Sequence, residues 1–144
     1  MRILIVDDEP AIRKTTRMAV EAVGHTTAEA PNALRALKAI DEDAFDAVFL
    51  DLKLGADDGL DVLAKLLKAQ PALAVVMFTA YANIATAVEA MRRGAFDFLP
   101  KPFTPDQIRA VLAQQRRFGV HQRHRVLQLV TEADRKSTRL NSSH

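Results

Sequence analysis

The chain has 144 residues, 49% of them hydrophobic and 26% charged, which is one domain's worth of ordinary globular composition. It contains no cysteine, so a disulfide framework, a thiolate zinc site and a cysteine nucleophile are excluded. The formal charge of +2 divides unevenly: residues 1–115 hold 13 Lys/Arg against 16 Asp/Glu, a net of −3, and residues 116–144 hold 7 against 2, a net of +5.

The body is therefore mildly acidic, and direct binding of nucleic acid is not expected of it. The Arg116-Arg117 pair and the basic 123–125 stretch read as a solvated linker face. The longest apolar stretch, residues 72–78, falls far short of the roughly 18 residues of a membrane span. The N-terminal apolar run passes straight into Asp7-Asp8-Glu9, which no secretory signal does. A cytoplasmic protein without membrane contact is expected.

In chain order, short β-rich runs alternate with segments of helical period. Residues 3–6 form the first apolar run. Ile12, Thr16, Ala19, Val20 and Val23 then share one helical stripe, with Pro10 in the first turn and Gly24 at the stop. A weaker strand is expected at 26–30, followed by a helix carrying Leu34, Leu37 and Ile40 after Pro31. The second apolar run, 47–50, leads through Asp58-Gly59 into a helix with Leu60, Leu63 and Leu67. The third, 73–78, precedes a helix with Ile84, Val88 and Met91 that ends at Gly94, and a weaker strand follows at 95–99. Thr104-Pro105-Asp106-Gln107 reads as a capping box opening a last helix with Ile108, Val111 and Leu112 inside. Runs apolar on both faces belong in the interior of a parallel sheet. Five β-α units therefore predict an α/β fold, a doubly wound five-stranded parallel sheet with helices on both faces.

Residues 1–117 are read as the folded domain and 118–134 as a linker or helical extension interrupted at Gly119. Residues 135–144 are polar and aperiodic and are expected to be disordered. Their sequence, Arg-Lys-Ser-Thr-Arg-Leu-Asn-Ser-Ser-His, resembles translated adaptor read-through, so the tail is expected to be foreign and the native protein to continue.

Ligands of open α/β sheets bind outside the carboxyl ends of the strands. Asp7 and Asp8 leave the first strand, Asp51 the third and Thr79 the fourth, and Lys101 lies just past the fifth. Three carboxylates, a hydroxyl and an ammonium thus converge on one sheet edge. Two like charges about 4 Å apart repel by on the order of 4 kcal/mol at an effective dielectric near 20, so three pairs cost about 12 kcal/mol. One lysine cannot cancel three charges. A carboxylate-rich site without His or Cys favours a hard cation, Mg²⁺ above Zn²⁺. A phosphoryl group then fits between metal and Lys101, with Thr79 donating a hydrogen bond, and Asp51 can attack phosphorus to give an acyl phosphate.

The runs Ile-Leu-Ile-Val-Asp-Asp-Glu-Pro, Phe-Leu-Asp-Leu, Phe-Thr-Ala-Tyr and Phe-Leu-Pro-Lys-Pro-Phe together resemble a response-regulator receiver domain of bacterial two-component signalling. The stretch from Thr86 to Arg109 resembles the NtrC-type subgroup. The resemblance implies a CheY-like, flavodoxin-like strand order of 2-1-3-4-5. It implies Asp51 as phosphoacceptor, and Mg²⁺ held by Asp7, Asp8, Asp51 and the Lys53 carbonyl. Thr79 and Lys101 would contact the phosphoryl oxygens, Thr79 and Phe98 would form the switch, and Lys101-Pro102 would be a cis peptide. Phe98 stands where many relatives have Tyr, so the switch here would work by packing alone.

Implied partners are a sensor histidine kinase, a downstream effector domain missing from this sequence and a second copy of the chain on phosphorylation. The domain would assist its own phosphotransfer and dephosphorylation and no other reaction. One departure is the loop after Asp51, which lacks the usual proline and contains Gly55, so it is expected to be loose.

Other readings are open. Asp7 and Asp8 would serve as ordinary helix N-terminal acids, and Asp57, Asp58 and Asp61 as a solvated loop and helix start. His25, His121, His124 and His144 lack metal-ligand spacing and read as surface residues. A magnesium-dependent phosphatase of the haloacid-dehalogenase type also uses an Asp nucleophile. It needs an acid two residues later, where this chain has Lys53, and a cap for which there is no room. A nucleotide-binding module lacks its glycine-rich loop. A receiver-like docking module that works without phosphorylation would not need all five site residues.

Overall fold

The five expected strands pair into one sheet in the computed structural model, which describes residues 1–80, 83–101 and 103–115. They are β1 (Arg2–Val6), β2 (Thr26–Ala30), β3 (Ala47–Asp51), β4 (Ala74–Thr79) and β5 (Asp97–Pro100). All neighbours are parallel, in the order β2-β1-β3-β4-β5. The helices are α1 (Pro10–Ala22), α2 (Ala33–Glu42), α3 (Gly59–Ala69), α4 (Ile84–Arg92) and α5 (residues 105–115). None of the described helices is long and apolar enough to cross a membrane.

Strand alternation divides the core in two. Leu4, Val6, Val48, Leu50, Val75 and Met77 point to the face covered by α2, α3 and α4. Ile3, Ile5, Phe49, Val76 and Phe78 point to the other, where Val20 of α1 and Ile108, Val111 and Leu112 of α5 meet them. Every residue of β3 and β4 is buried, which explains why these runs are apolar without alternation. The chain winds outward from β1 to β2 and then crosses to β3, so the β1–β3 boundary is where strand order reverses. Such a switch point opens a crevice at the strands' carboxyl ends.

Several local expectations hold. Pro10 starts α1, and Gly24 and Gly94 directly follow the C-cap residues Val23 and Arg93 of α1 and α4 with positive φ. Thr104 Oγ1 accepts from the Gln107 N–H at 3.2 Å and Gln107 Oε1 accepts from the Thr104 N–H at 2.8 Å, so the capping box is formed.

Others are corrected. Leu34 is 77% exposed: α2 buries the small Ala33 and Ala36, which let the helix lie close to the sheet, together with the expected Ile40, while Leu37 is partly buried against the core. Ile84 is 84% exposed, and α4 buries Ala90 and Met91. The last strand starts at Asp97, with Ala95 and Phe96 as its buried lead-in. His25 is half-buried, with Nδ1 3.1 Å from the N-terminal amine. The loop after Asp51 is no loose coil. It forms a short antiparallel hairpin, Lys53–Leu54 with Asp57–Asp58. Gly55 takes φ +60° at the first of the two tip positions, the conformation in which glycine suits a two-residue hairpin. Pro102, the 118–134 extension, the 135–144 tail and the other three histidines lie outside the described residues.

Candidate functional site

The first carboxylate is set by the end of β1. The Asp7 N–H donates to the Ala30 carbonyl at 3.2 Å, continuing the β1–β2 ladder by one bond. Its side chain is fully buried. Oδ1 accepts from the Glu9 N–H at 3.0 Å, and Oδ2 accepts from Lys101 Nζ at 2.9 Å. The Asp7 carbonyl accepts from the Arg13 guanidinium at 2.8 Å. Asp8 is exposed, and its Oδ2 accepts from the Gly55 N–H at 3.1 Å, so the hairpin tip holds it in place.

Asp51 ends β3 and is buried, with Oδ2 3.4 Å from Lys101 Nζ. Gly59 packs directly beneath it. A Cβ there would lie 2.5 Å from the Asp51 carbonyl oxygen and 2.6 Å from that of Leu52, so only glycine fits where α3 begins. Asp58 caps the same helix by accepting from the Leu60 N–H at 2.9 Å, the structural role expected of it. Thr79, the last residue of β4, is buried. Its carbonyl accepts from the Lys101 N–H at 2.8 Å, which brings the lysine back over the sheet edge.

One carboxylate oxygen from each of Asp7, Asp8 and Asp51 lies within 4.8 Å of the others. A cleft of about 370 Å³ opens beside them, lined by Glu9, Lys53 and Gly55 as well as Asp8, Asp51, Thr79 and Lys101. Burial pushes the Asp51 carboxyl up to about 6; Lys101 pulls it down, and the charge of Asp7 raises it again. Backbone hydrogen bonding at Lys53 opposes the rise as well. Three carboxylates around one ammonium are short of positive charge, and their oxygens are the donor set of a hard divalent cation. The residues fit Mg²⁺.

Phe98 lies on the opposite side of the sheet from Phe78 and Phe103. It pairs in register with Met77, two residues before Thr79, and packs half-buried against the core under α2–α4. The adjacent Asp97 carboxyl accepts from the Phe98 N–H at 2.7 Å, and burial raises its pKa against that bond.

The site also has supports that motif reading did not predict. Arg13 holds the Asp7 carbonyl and lies 3.4 Å from Glu29 on β2. Phe78 lies under Lys101, with Phe103 against it. Phe78 and Phe103 flank Thr79 and Lys101 in sequence, so their position was visible and their contact was not.

Residues 3–113 match the family of response regulator receiver domains. The chain belongs to the response-regulator receiver family. The alginate biosynthesis transcriptional regulatory protein AlgB of Pseudomonas aeruginosa (strain PAO1) is 47% identical over 114 residues, 79% of this chain and 25% of that protein. The crystal structure of the receiver domain of NtrX from Brucella abortus is 44% identical with a TM-score of 0.74, covering 78% of this chain and 95% of that one. A response regulator from Burkholderia pseudomallei, crystallised with a phosphorylated aspartic acid, a calcium ion and citrate, is 30% identical with a TM-score of 0.74. That match covers 97% of this chain and 74% of the other.

The receiver spans about a quarter of the length of the curated relatives it matches. Its relatives identify it as a receiver of NtrC-type transcriptional regulators, a regulatory domain of phosphorylation-dependent signalling. Membership in the receiver family favours neither the phosphatase nor the docking-module alternative.

Proposed function

We propose that this receiver accepts a phosphoryl group on Asp51 from the phosphohistidine of a sensor kinase and thereby controls a transcriptional output. The observation that carries the reading is the buried Asp51 beside Lys101, with Asp7 and Asp8 gathered around them on one sheet edge. An Asp51 carboxylate oxygen attacks phosphorus, the P–N bond breaks, the imidazole leaves, and an acyl phosphate remains. Lys101 Nζ, within 3.4 Å of both Asp7 and Asp51, pairs with a phosphoryl oxygen, and the Thr79 hydroxyl donates to another. Asp7, Asp8, Asp51 and the Lys53 carbonyl are the residues that would hold Mg²⁺. When bound, the ion neutralises the carboxylates and the phosphoryl oxygens.

The switch follows from Thr79 and Phe98 on adjacent strands. Thr79 turns toward the phosphoryl group, and the half-buried Phe98 ring packs into the space behind it. Without a hydroxyl, Phe98 signals by volume alone. This biases a pre-existing equilibrium and reshapes the face of α4, β5 and α5, through which a second copy or the output domain would be engaged. The domain acts on its own phosphoryl group only, touches no nucleic acid itself and works in the cytoplasm with its kinase. Residues 1–117 are the receiver and 118–134 its linker. The phosphorylated aspartic acid of the similar Burkholderia pseudomallei protein supports this chemistry.

Intact mass after incubation with acetyl phosphate and Mg²⁺ tests the proposal. One phosphoryl adduct is expected, labile to hydroxylamine and absent from Asp51→Asn and from chelated samples. Folded protein without an adduct would return the site to the docking reading.

A further inference from the structure

Among the described residues Lys101 is the one ammonium shared by Asp7 and Asp51, and it reaches from a loop, with its side chain 13% exposed. An ammonium has three N–H donors. Asp7 Oδ2 at 2.9 Å and Asp51 Oδ2 at 3.4 Å account for two directions. The third side is closed by an aromatic face: Nζ lies 4.6 Å from the centroid of the Phe78 ring.

That ring is itself held. Phe103, two residues beyond Lys101, meets Phe78 edge-on at 5.7 Å and Phe49 at 6.1 Å, and Phe49 and Phe78 lie 6.4 Å apart. Lys101 and Phe103 thus grip Phe78 twice, once with the ammonium and once with the ring. Phe78 directly precedes Thr79, so the same residue stiffens the strand end that presents the hydroxyl.

We propose that Phe78 is a positioning residue for the phosphotransfer described above: its ring face, met edge-on by Phe103, keeps the Lys101 ammonium between Asp7 and Asp51. A cation over an aromatic face is attracted to it, and more strongly where water is excluded. An aliphatic residue of similar size would fill the core but leave the lysine free to swing toward Asp7 or into the cleft. The inference rests on the reading of Asp51 as acceptor.

The experiment compares wild type, Phe78→Leu and Phe49→Leu, with and without Lys101→Met, in two readouts. In NMR spectra of the unphosphorylated protein, the Lys101 Hε signals are expected upfield of the other lysines through the ring current. They should return to the ordinary position in Phe78→Leu but not in Phe49→Leu, an equal truncation that leaves the Phe78 face beneath the ammonium in place. In phosphorylation by acetyl phosphate with Mg²⁺, Phe78→Leu is expected to slow the rate at saturating donor by about tenfold. That loss should disappear when Lys101 is already Met, because residues acting through one another are not additive.

Lys101 shifts indifferent to Phe78→Leu would overturn the proposal, as would an equal rate loss in both lysine backgrounds or from both phenylalanines. No adduct on wild type would instead sink the acceptor reading, and the ring-current comparison would still decide what holds the lysine.

Discussion

The two ends of this sheet handle charge in opposite ways. At the N-terminal end, opposite charges are matched. Arg2 pairs with Asp43 at 2.6 Å, its guanidinium lies 5.1 Å from the Phe45 ring, and its N–H donates to Asp46 at 2.8 Å. At the C-terminal end, three carboxylates gather around one ammonium, two of them buried. The first end is half-exposed and screened, so it contributes little and asks for nothing further. The second is desolvated and short of positive charge, the imbalance that the proposed cation would relieve. Balanced, screened charge and unbalanced, desolvated charge have been placed at opposite ends of the same strands.

Removing charge at each end should break this symmetry unequally. The largest effect is expected from Lys101→Met, which leaves the fully buried Asp7 without its ammonium. Losing one partner of a buried pair costs about 3 kcal/mol, to be read from urea unfolding at neutral pH.

Asp51→Asn should act in the opposite direction. Its folded carboxyl titrates at about 6, above its ordinary value, so the folded state holds the proton more tightly than the unfolded chain. The resulting stability is fully present below about pH 4 and is lost as pH rises through about 6. In metal-free buffer at pH 8, Asp51→Asn is therefore expected to be more stable than wild type by about 1–2 kcal/mol, allowing for water at the cleft mouth. Near pH 3.5 the gain should be gone. A gain that grows on acidification would show that the carboxylate is stabilised and not strained.

The smallest effect belongs to the other end. Arg2→Ala breaks an ion pair whose side chains are 42% and 50% exposed. It should cost less than about 1 kcal/mol, most of it removed by high salt. A loss as large as that of Lys101→Met would erase the distinction between the ends.

How much of this was legible in the sequence depended on what kind of signal each feature leaves. The strand interiors were plain, because β1, β3 and β4 are apolar on both faces. The site was plain too, since the residue leaving each strand of a parallel sheet can be counted off. Helix faces were harder. Spacing cannot tell that α2 turns Ala33 and Ala36 inward and leaves Leu34 outside, because the stripes are neighbours and the closeness of the sheet decides between them. The hairpin after Asp51 was missed because two-residue strands have no periodicity. The tie from Gly55 to Asp8 joins residues 47 apart in sequence, and the Lys101–Phe78 contact also depends on the fold. Both are side-chain or loop geometry at a known edge, and no local pattern encodes them.

The most direct test of the account is a calorimetric Mg²⁺ titration of wild type, Asp8→Asn and Asp51→Asn at pH 7.5. The account predicts one ion bound per chain by wild type, with affinity at least about tenfold weaker in each variant, a difference of 1.4 kcal/mol. The urea midpoint of wild type should rise with Mg²⁺ in step with that binding. Equal affinity in all three proteins, or no saturable binding by wild type, would contradict the claim that the unbalanced end of the sheet is built to receive a cation.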